Sequence, residues 1–142
     1  MRRELKTLAN LLQVSANAVE EKQKEIAIVL QAIELRENHI AQLHQKMHEE
    51  AAAAGGDPQL LAAYDAFSRR AELELQLMQQ QLADLQQREA MKRDELAELF
   101  AEKKRYEILH QRKTDEIAKE VAKKEQRELD EVAAQRHGRQ QH

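Results

Sequence analysis

The stretch Gly55-Gly56-Asp57-Pro58 decides the fold, because it interrupts a sequence that is otherwise helical in character. It holds two of the three glycines and the only proline. Glycine can take the left-handed conformation that ends a helix, aspartate can cap the next helix, and proline fits the first helical position. So short a connection between long helices favours an antiparallel hairpin. We therefore predict an all-α fold: two long helices in an antiparallel coiled-coil hairpin, the C-terminal helix being longer.

The predicted chain is a single helical-hairpin domain over residues 1–136. The first arm covers 2–54, the turn 55–58 and the second arm 58–136, and a disordered tail follows over 137–142. Ala, Glu, Lys, Arg and Leu make up more than half of the sequence, which is typical of coiled coils. Two Tyr, two Phe and no Trp are too few to fill a wide globular core.

Composition also argues against several classes of protein. The 23 basic and 26 acidic residues are interleaved and leave a net charge of −3, so we expect no nucleic-acid partner. Cysteine is absent, which excludes disulfides and thiolate metal sites and suits a reducing cytoplasm. Arg2 and Arg3 are not followed by the apolar run of a signal peptide. No stretch approaches the ~20 apolar residues of a membrane-spanning helix, so we expect no membrane insertion.

Apolar residues recur every seven positions from Leu5 along the first arm. A sustained heptad spacing keeps one apolar seam facing a partner helix. On the second arm the apolar seam is interrupted at Glu89 and Lys92. The predicted seam comprises Leu12, Val19, Ile26, Ile33, Ile40, Met47, Leu75, Met78, Leu82, Leu85, Leu96 and Leu99.

A register that pivots near Gly56 places Lys22 opposite Glu89. These two residues then either form a polar layer that fixes the register or extend their charged groups to water. The same register places Leu5 near Ile108. It also predicts that Leu109–Val132 projects as an unpaired helix, which frays because isolated helices are marginal in water, and which a partner protein completes.

The second arm opens with an apolar cluster. In the predicted hairpin this cluster faces the end of the first arm, at Leu43 and Met47, across the turn. Its members are Leu60, Leu61, Tyr64 and Phe67.

No constellation of residues supports catalysis, cofactor binding or metal binding. His44 and His48 lie one helical turn apart, but no further zinc ligand accompanies them, and Ser15 and Ser68 lack the surroundings of a nucleophile. We therefore predict that the protein is not an enzyme. The most basic segment contains Lys103, Lys104, Arg105, Arg112 and Lys113. It is either a docking site for an acidic protein partner or a solvated helix face.

The C-terminal third contains two distinctive charged segments. The first is 102–107 (EKKRYE), followed by 111–113 (QRK), and the second is 124–133 (KEQRELDEVA). They resemble the charged region and the closing motif of the FliJ family, the central-stalk component of the bacterial flagellar type III export apparatus. The entry through Leu5, Leu8 and Leu12 into Glu- and Gln-rich heptads is also similar.

The resemblance implies a non-enzymatic stalk that inserts into the hexameric flagellar export ATPase and promotes its assembly and activity. FliJ proteins look like the stalk of the rotary ATP synthase gamma subunit. They also contact the cytosolic domain of the membrane export gate and bind export chaperones. The implied location is cytoplasmic, peripherally associated with the inner-membrane export apparatus. The candidate contacts with the ATPase ring are Leu5, Leu8, Lys104, Arg105, Arg112 and Lys113.

Two alternatives stay open at the level of sequence. The chain could be the equivalent stalk of a virulence type III secretion system. It could instead be a structural coiled coil in which two chains dimerise through opened-out arms, although the Gly-Gly-Asp-Pro interruption argues against one continuous helix.

Overall fold

The computed structural model describes residues 2–140. In that range helix α1 runs Arg2–Ala54 and helix α2 runs Pro58–Gln140, and the described residues include no strand. With 83 residues against 53, α2 is the longer helix, and the predicted fold class is confirmed. Helix α2 continues past residue 136, where we expected it to end, as far as Gln140. Residues 141 and 142 of the expected tail lie outside the described residues.

The connection between the helices contains the predicted helix stop, N-cap and helix start. Gly55 has a φ of 51°, the left-handed conformation that closes α1 without a Cβ clash. The Gln59 backbone N–H donates to Asp57 Oδ1 at 2.9 Å, and the Leu61 N–H donates to the Asp57 carbonyl at 2.9 Å. Asp57 is therefore the N-cap of α2, and Pro58 occupies the first helical position.

The chain forms two compact units. The first, called here the turn unit, is Glu20–Ala97; the second, the terminal unit, is Met1–Val19 with Glu98–His142. In the turn unit the two helices pack antiparallel. Its buried apolar residues are Ile26, Val29, Ile33, Ala54 and Ala71. The α2 side adds half-buried residues in alternating steps of three and four, the coiled-coil spacing: Leu75, Met78, Leu82, Leu85, Glu89, Lys92 and Leu96.

In the terminal unit the start of α1 packs against α2 from Glu98 onward. Val19 and Ser15 are buried on α1. The half-buried row on α2 ends at Ile117, and every described residue from 118 to 140 is exposed. The predicted start of the unpaired helix at Leu109 was therefore wrong, because packing continues to Ile117.

The register of the turn unit also differs from the predicted one. Lys22 Nζ lies 2.6 Å from Glu95 Oε2, so the prediction that Lys22 lies opposite Glu89 was wrong. The Glu89 carboxylate instead pairs with Arg93, one turn further along its own helix.

The offset originates at the turn. Leu60 and Leu61, expected to face the end of α1, are 50% and 46% exposed. Buried Ala54 lines a groove that extends along α2 from Leu60 to Tyr64. The first turn of α2 thus adds length before the two helices pair. Each residue of α1 therefore meets a residue further along α2 than a pivot at Gly56 predicts.

The terminal unit shows the same kind of shift. Glu4 Oε2 lies 2.5 Å from Lys113 Nζ, so the start of α1 is level with Lys113. The predicted placement of Leu5 near Ile108 was wrong, and Ile108 is 40% exposed.

Candidate partner interface

All six candidate contact residues lie in the terminal unit. The apolar pair Leu5 and Leu8 is half-buried on α1. On α2, Lys104, Arg105 and Arg112 are exposed, whereas Lys113 is half-buried. The structure therefore separates two apolar residues and one lysine, which are engaged in packing, from three exposed cations.

Lys113 is held by two carboxylates of its own unit. Its Nζ lies 2.5 Å from Glu4 Oε2 and 3.5 Å from Glu116 Oε2. The hydrogen bond from Lys113, with its positive charge, lowers the pKa of Glu4. The hydrogen bond to Glu4 raises the pKa of Lys113 in turn. This lysine fastens the start of α1 to α2 and has little free charge to offer a partner.

Of the four candidate cations, Arg105 and Arg112 are the two without an ion pair in the described part of the chain. Among residues 2–140 neither takes part in an ion pair. Lys104 Nζ, by contrast, lies 3.8 Å from Glu107 Oε2. Residues seven positions apart lie on the same face of a helix, about 10 Å apart along its axis. The two guanidinium groups therefore share one face of α2 and are both free to bind carboxylates.

Two apolar side chains lie between these arginines. Ile108 is 40% exposed and Leu109 46% exposed. At spacings of three and four residues from the arginines, they lie on or beside the same face. We call Arg105, Ile108, Leu109 and Arg112 the basic apolar patch. Guanidinium groups bind carboxylates through paired hydrogen bonds, and the aliphatic side chains between them can be covered by apolar residues of a partner.

The turn unit holds a separate cluster of four charges that links its two helices. Lys22 Nζ contacts Glu25 Oε2 at 2.8 Å and Glu95 Oε2 at 2.6 Å. Lys92 Nζ lies 3.5 Å from Glu25 Oε2. We call these four residues the charge cluster. The hydrogen bonds with Glu25 and Glu95 raise the pKa of Lys22, and the hydrogen bond from Lys22 lowers the pKa of Glu25.

The residues of the predicted seam occupy the packed sides of both helices. Val19, Ile26 and Ile33 are buried. The other members are half-buried: Leu12, Ile40, Met47, Leu75, Met78, Leu82, Leu85, Leu96 and Leu99. One polar atom in this seam lacks a partner, since Arg36 Nε is buried without a hydrogen bond.

The described residues contain no group of His, Asp or Glu side chains that could hold a metal ion. His44 and His48 are exposed. No helix among the described residues has the length and apolarity needed to cross a membrane.

A family model described as Flagellar FliJ protein matches residues 5–142, nearly the whole chain. The chain belongs to the FliJ family. The resemblance seen in the charged segment and the closing motif is thereby confirmed, and this FliJ-family chain is a component of flagellar type III export. Neither a curated protein nor a solved structure matches the chain.

The FliJ-family sequence pointed to the cations of the basic apolar patch but not to its apolar members. The predicted register placed Ile108 beside Leu5 and started the unpaired helix at Leu109. A heptad count along α2 could have corrected this, because the half-buried row passes through Tyr106 and His110. That row leaves Ile108 and Leu109 outside the seam.

Proposed function

We propose that this chain is the non-enzymatic central stalk of the flagellar type III export apparatus. In this role it inserts into the hexameric export ATPase, promotes the assembly and activity of the ring, and links the ATPase to the cytosolic domain of the export gate and to export chaperones. It works in the cytoplasm, peripherally associated with the inner-membrane export apparatus. Membership of the FliJ family supports this role.

The observation that carries the proposed ring contact is the basic apolar patch of the terminal unit. Two exposed arginines without ion pairs flank two exposed aliphatic side chains. Arginine without an internal acceptor is well suited to a partner, since its planar group binds carboxylates at two points. Arginine is one of the residues enriched among the anchors of protein interfaces, and the buried centre of an interface is mostly apolar. Lys104 extends the proposed contact, and Leu5, Leu8 and Lys113 support it by holding the start of α1 against α2.

The exposed end of α2 supports the same role. All residues from 118 to 140 are helical and exposed, so this part of α2 has no buried face. Helices in proteins gain most of their stability from tertiary packing, and isolated helices are only marginally stable in water. We propose that a surrounding partner supplies that packing when the complex forms.

The test is ATP hydrolysis by the export ATPase of the same organism, titrated with the full chain. We expect a saturable rise near one chain per six ATPase subunits, as one stalk in one hexamer requires. The double variant Arg105→Ala/Arg112→Ala should raise the half-saturating concentration about thirtyfold, since each charged contact contributes of order 1 kcal/mol. Its matched control is Arg70→Ala/Arg88→Ala, because these arginines are also exposed on α2 but lie in the turn unit.

An unchanged hydrolysis rate, without co-migration of the two proteins on a sizing column, would overturn the proposal. Equal losses in the two double variants would remove the basic apolar patch as the contact. The family match favours the flagellar apparatus over its virulence counterpart. A dimer of this chain in sedimentation, together with no binding to the ATPase, would instead support the structural coiled coil.

A further inference from the structure

The turn end of the turn unit exposes apolar surface that the hairpin does not use. Leu60 and Leu61 are 50% and 46% exposed on the first turn of α2. Leu60 also lines a groove of about 100 Å³ between the end of α1 and the start of α2. Four of the six lining residues are apolar; the six are Glu50, Ala53, Ala54, Leu60, Ala63 and Tyr64. A groove of this size can accept an aliphatic side chain.

The charged residues closest to this groove in the sequence are acidic, and the nearest lysine, Lys46, lies over the Phe67 ring. No Lys or Arg occurs from residue 47 to residue 68, whereas the same stretch holds Glu49, Glu50, Asp57 and Asp65. Basic residues are otherwise frequent, at 23 in 142. The last turn of α1 carries no basic residue, so the partial negative charge of that helix end is not offset. The surface is therefore apolar and acidic together.

Two of these carboxylates lie at positions where they do not stabilise the helix. Glu49 and Glu50 lie close to the C-terminus of α1, where the helix dipole disfavours negative charge. Neither residue forms an ion pair within the described residues; Glu49 only accepts a hydrogen bond from Gln45 Nε2 at 3.0 Å. Asp65 differs, since it pairs with Arg69 at 3.0 Å. The free carboxylates are thus those beside the groove.

We propose that this surface, called the acidic tip, docks a basic and apolar segment of a partner protein. An aliphatic side chain of the segment enters the groove beside Leu60, and its lysine or arginine residues meet Glu49 and Glu50. A membrane surface fits poorly, because anionic lipids would be repelled. A second copy fits poorly too. Two acidic tips would repel each other, and contact of the tip with another part of a second copy would be head-to-tail, which builds rings or open chains rather than a two-fold dimer.

The test uses a synthetic amphipathic helical peptide made only of leucine and lysine, titrated into the full ¹⁵N-labelled chain. The three glycines are natural reporters. The amide signals of Gly55 and Gly56 lie at the acidic tip, and that of Gly138 serves as an internal reference. We expect a saturable shift of the Gly55 and Gly56 signals and none of Gly138. A peptide in which glutamate replaces lysine should not bind.

Two pairs of variants separate the apolar from the charged contribution. Leu60→Ser/Leu61→Ser should weaken binding about tenfold or more. Its control, Leu73→Ser/Leu77→Ser, changes two leucines that are 68% and 57% exposed elsewhere on α2 and should leave the affinity unchanged.

The second pair of variants tests the contribution of the carboxylates. Glu49→Gln/Glu50→Gln should weaken binding about threefold and reduce its dependence on salt. Glu20→Gln/Glu21→Gln changes an exposed pair on the same helix and should have no effect.

The proposal is overturned if Gly55 and Gly56 do not shift, if a control pair loses as much affinity as its counterpart, or if the glutamate peptide binds equally well. It is also overturned, in favour of a second copy, if Leu60→Ser/Leu61→Ser abolishes self-association in sedimentation. Since the probe is a peptide and the surface lies in the turn unit, these outcomes are independent of the proposed ATPase contact.

Discussion

Replacing Ile33 by alanine tests which face of α1 holds the turn unit together. Ile33 is 8% exposed, whereas Ile28 on the same helix is 67% exposed. Ile33→Ala removes three buried carbons at about 0.8 kcal/mol each. It also leaves a small cavity, within a usual range of about 2–5 kcal/mol for such changes. A two-helix seam is open at its sides and can partly close the gap, so we expect a loss of about 2–3 kcal/mol.

The assay is unfolding in urea, monitored by the circular dichroism signal of the helices. A loss of this size is a large fraction of the stability of a small domain, so the unfolding midpoint should fall visibly. Ile28→Ala is the matched control and should change stability by about 0.5 kcal/mol or less. The assignment of Ile33 to the seam would be refuted by a change of under about 0.5 kcal/mol, or by an equal loss in Ile28→Ala.

Three further predictions concern charges and length. The hydrogen bond from Lys22 lowers the pKa of Glu25 below its ordinary value of 4.5, so this carboxylate stabilises the fold fully above about pH 4.5 and loses that contribution as the pH falls through the lowered pKa. Below that pH, the difference in unfolding free energy between the native chain and Glu25→Gln in urea should therefore shrink; a difference that does not change with pH would contradict it. Since Arg36 Nε is buried without a hydrogen bond, Arg36→Met should raise the free energy of unfolding in urea by about 0.5–2 kcal/mol. Arg69→Met should not, because Arg69 is exposed; a lower unfolding free energy for Arg36→Met would count against this. Deleting residues 118–142 should leave the urea midpoint unchanged, and a lower midpoint would contradict this. In the isolated full chain, the amide hydrogens of residues 118–140 should exchange far faster than those of the buried seam, and slow exchange there would contradict this.

The fold followed from the sequence because its determinants are local. The Gly-Gly-Asp-Pro stretch combines a helix stop, a cap and a helix start, and Gly55 and Asp57 perform the first two in the structure. The heptad spacing from Leu5 depends only on the helix period. Such signals do not need knowledge of the partner helix.

The register could not be obtained in the same way. Apolar periodicity repeats every seven residues, so it is satisfied equally well by several alignments of the two helices. The actual alignment depends on how far α2 extends beyond α1 before pairing begins, as the exposed Leu60 shows. The ion-pair partner of Lys22 then follows from that alignment, and a pivot at Gly56 missed it by six residues, Glu89 in place of Glu95.

The same alignment explains the error in the candidate interface. The exposed arginines could be identified from the sequence, because a charged residue can be identified without knowing how the two helices are aligned. The exposure of Ile108 and Leu109 depends on which residues α1 covers, and it became visible only with Glu4 beside Lys113.

The charge cluster has a consequence for how the length of this protein can change in evolution. The same Lys-x-x-Glu spacing occurs on both helices, at 22–25 and at 92–95, and each lysine meets a glutamate of the other helix. An insertion between Glu25 and the turn would carry one half of the cluster away from the other unless α2 gained an equal number of residues. Insertions must also come in sevens to keep the seam buried. Relatives with longer or shorter arms should therefore differ by whole heptads placed symmetrically on either side of Gly55.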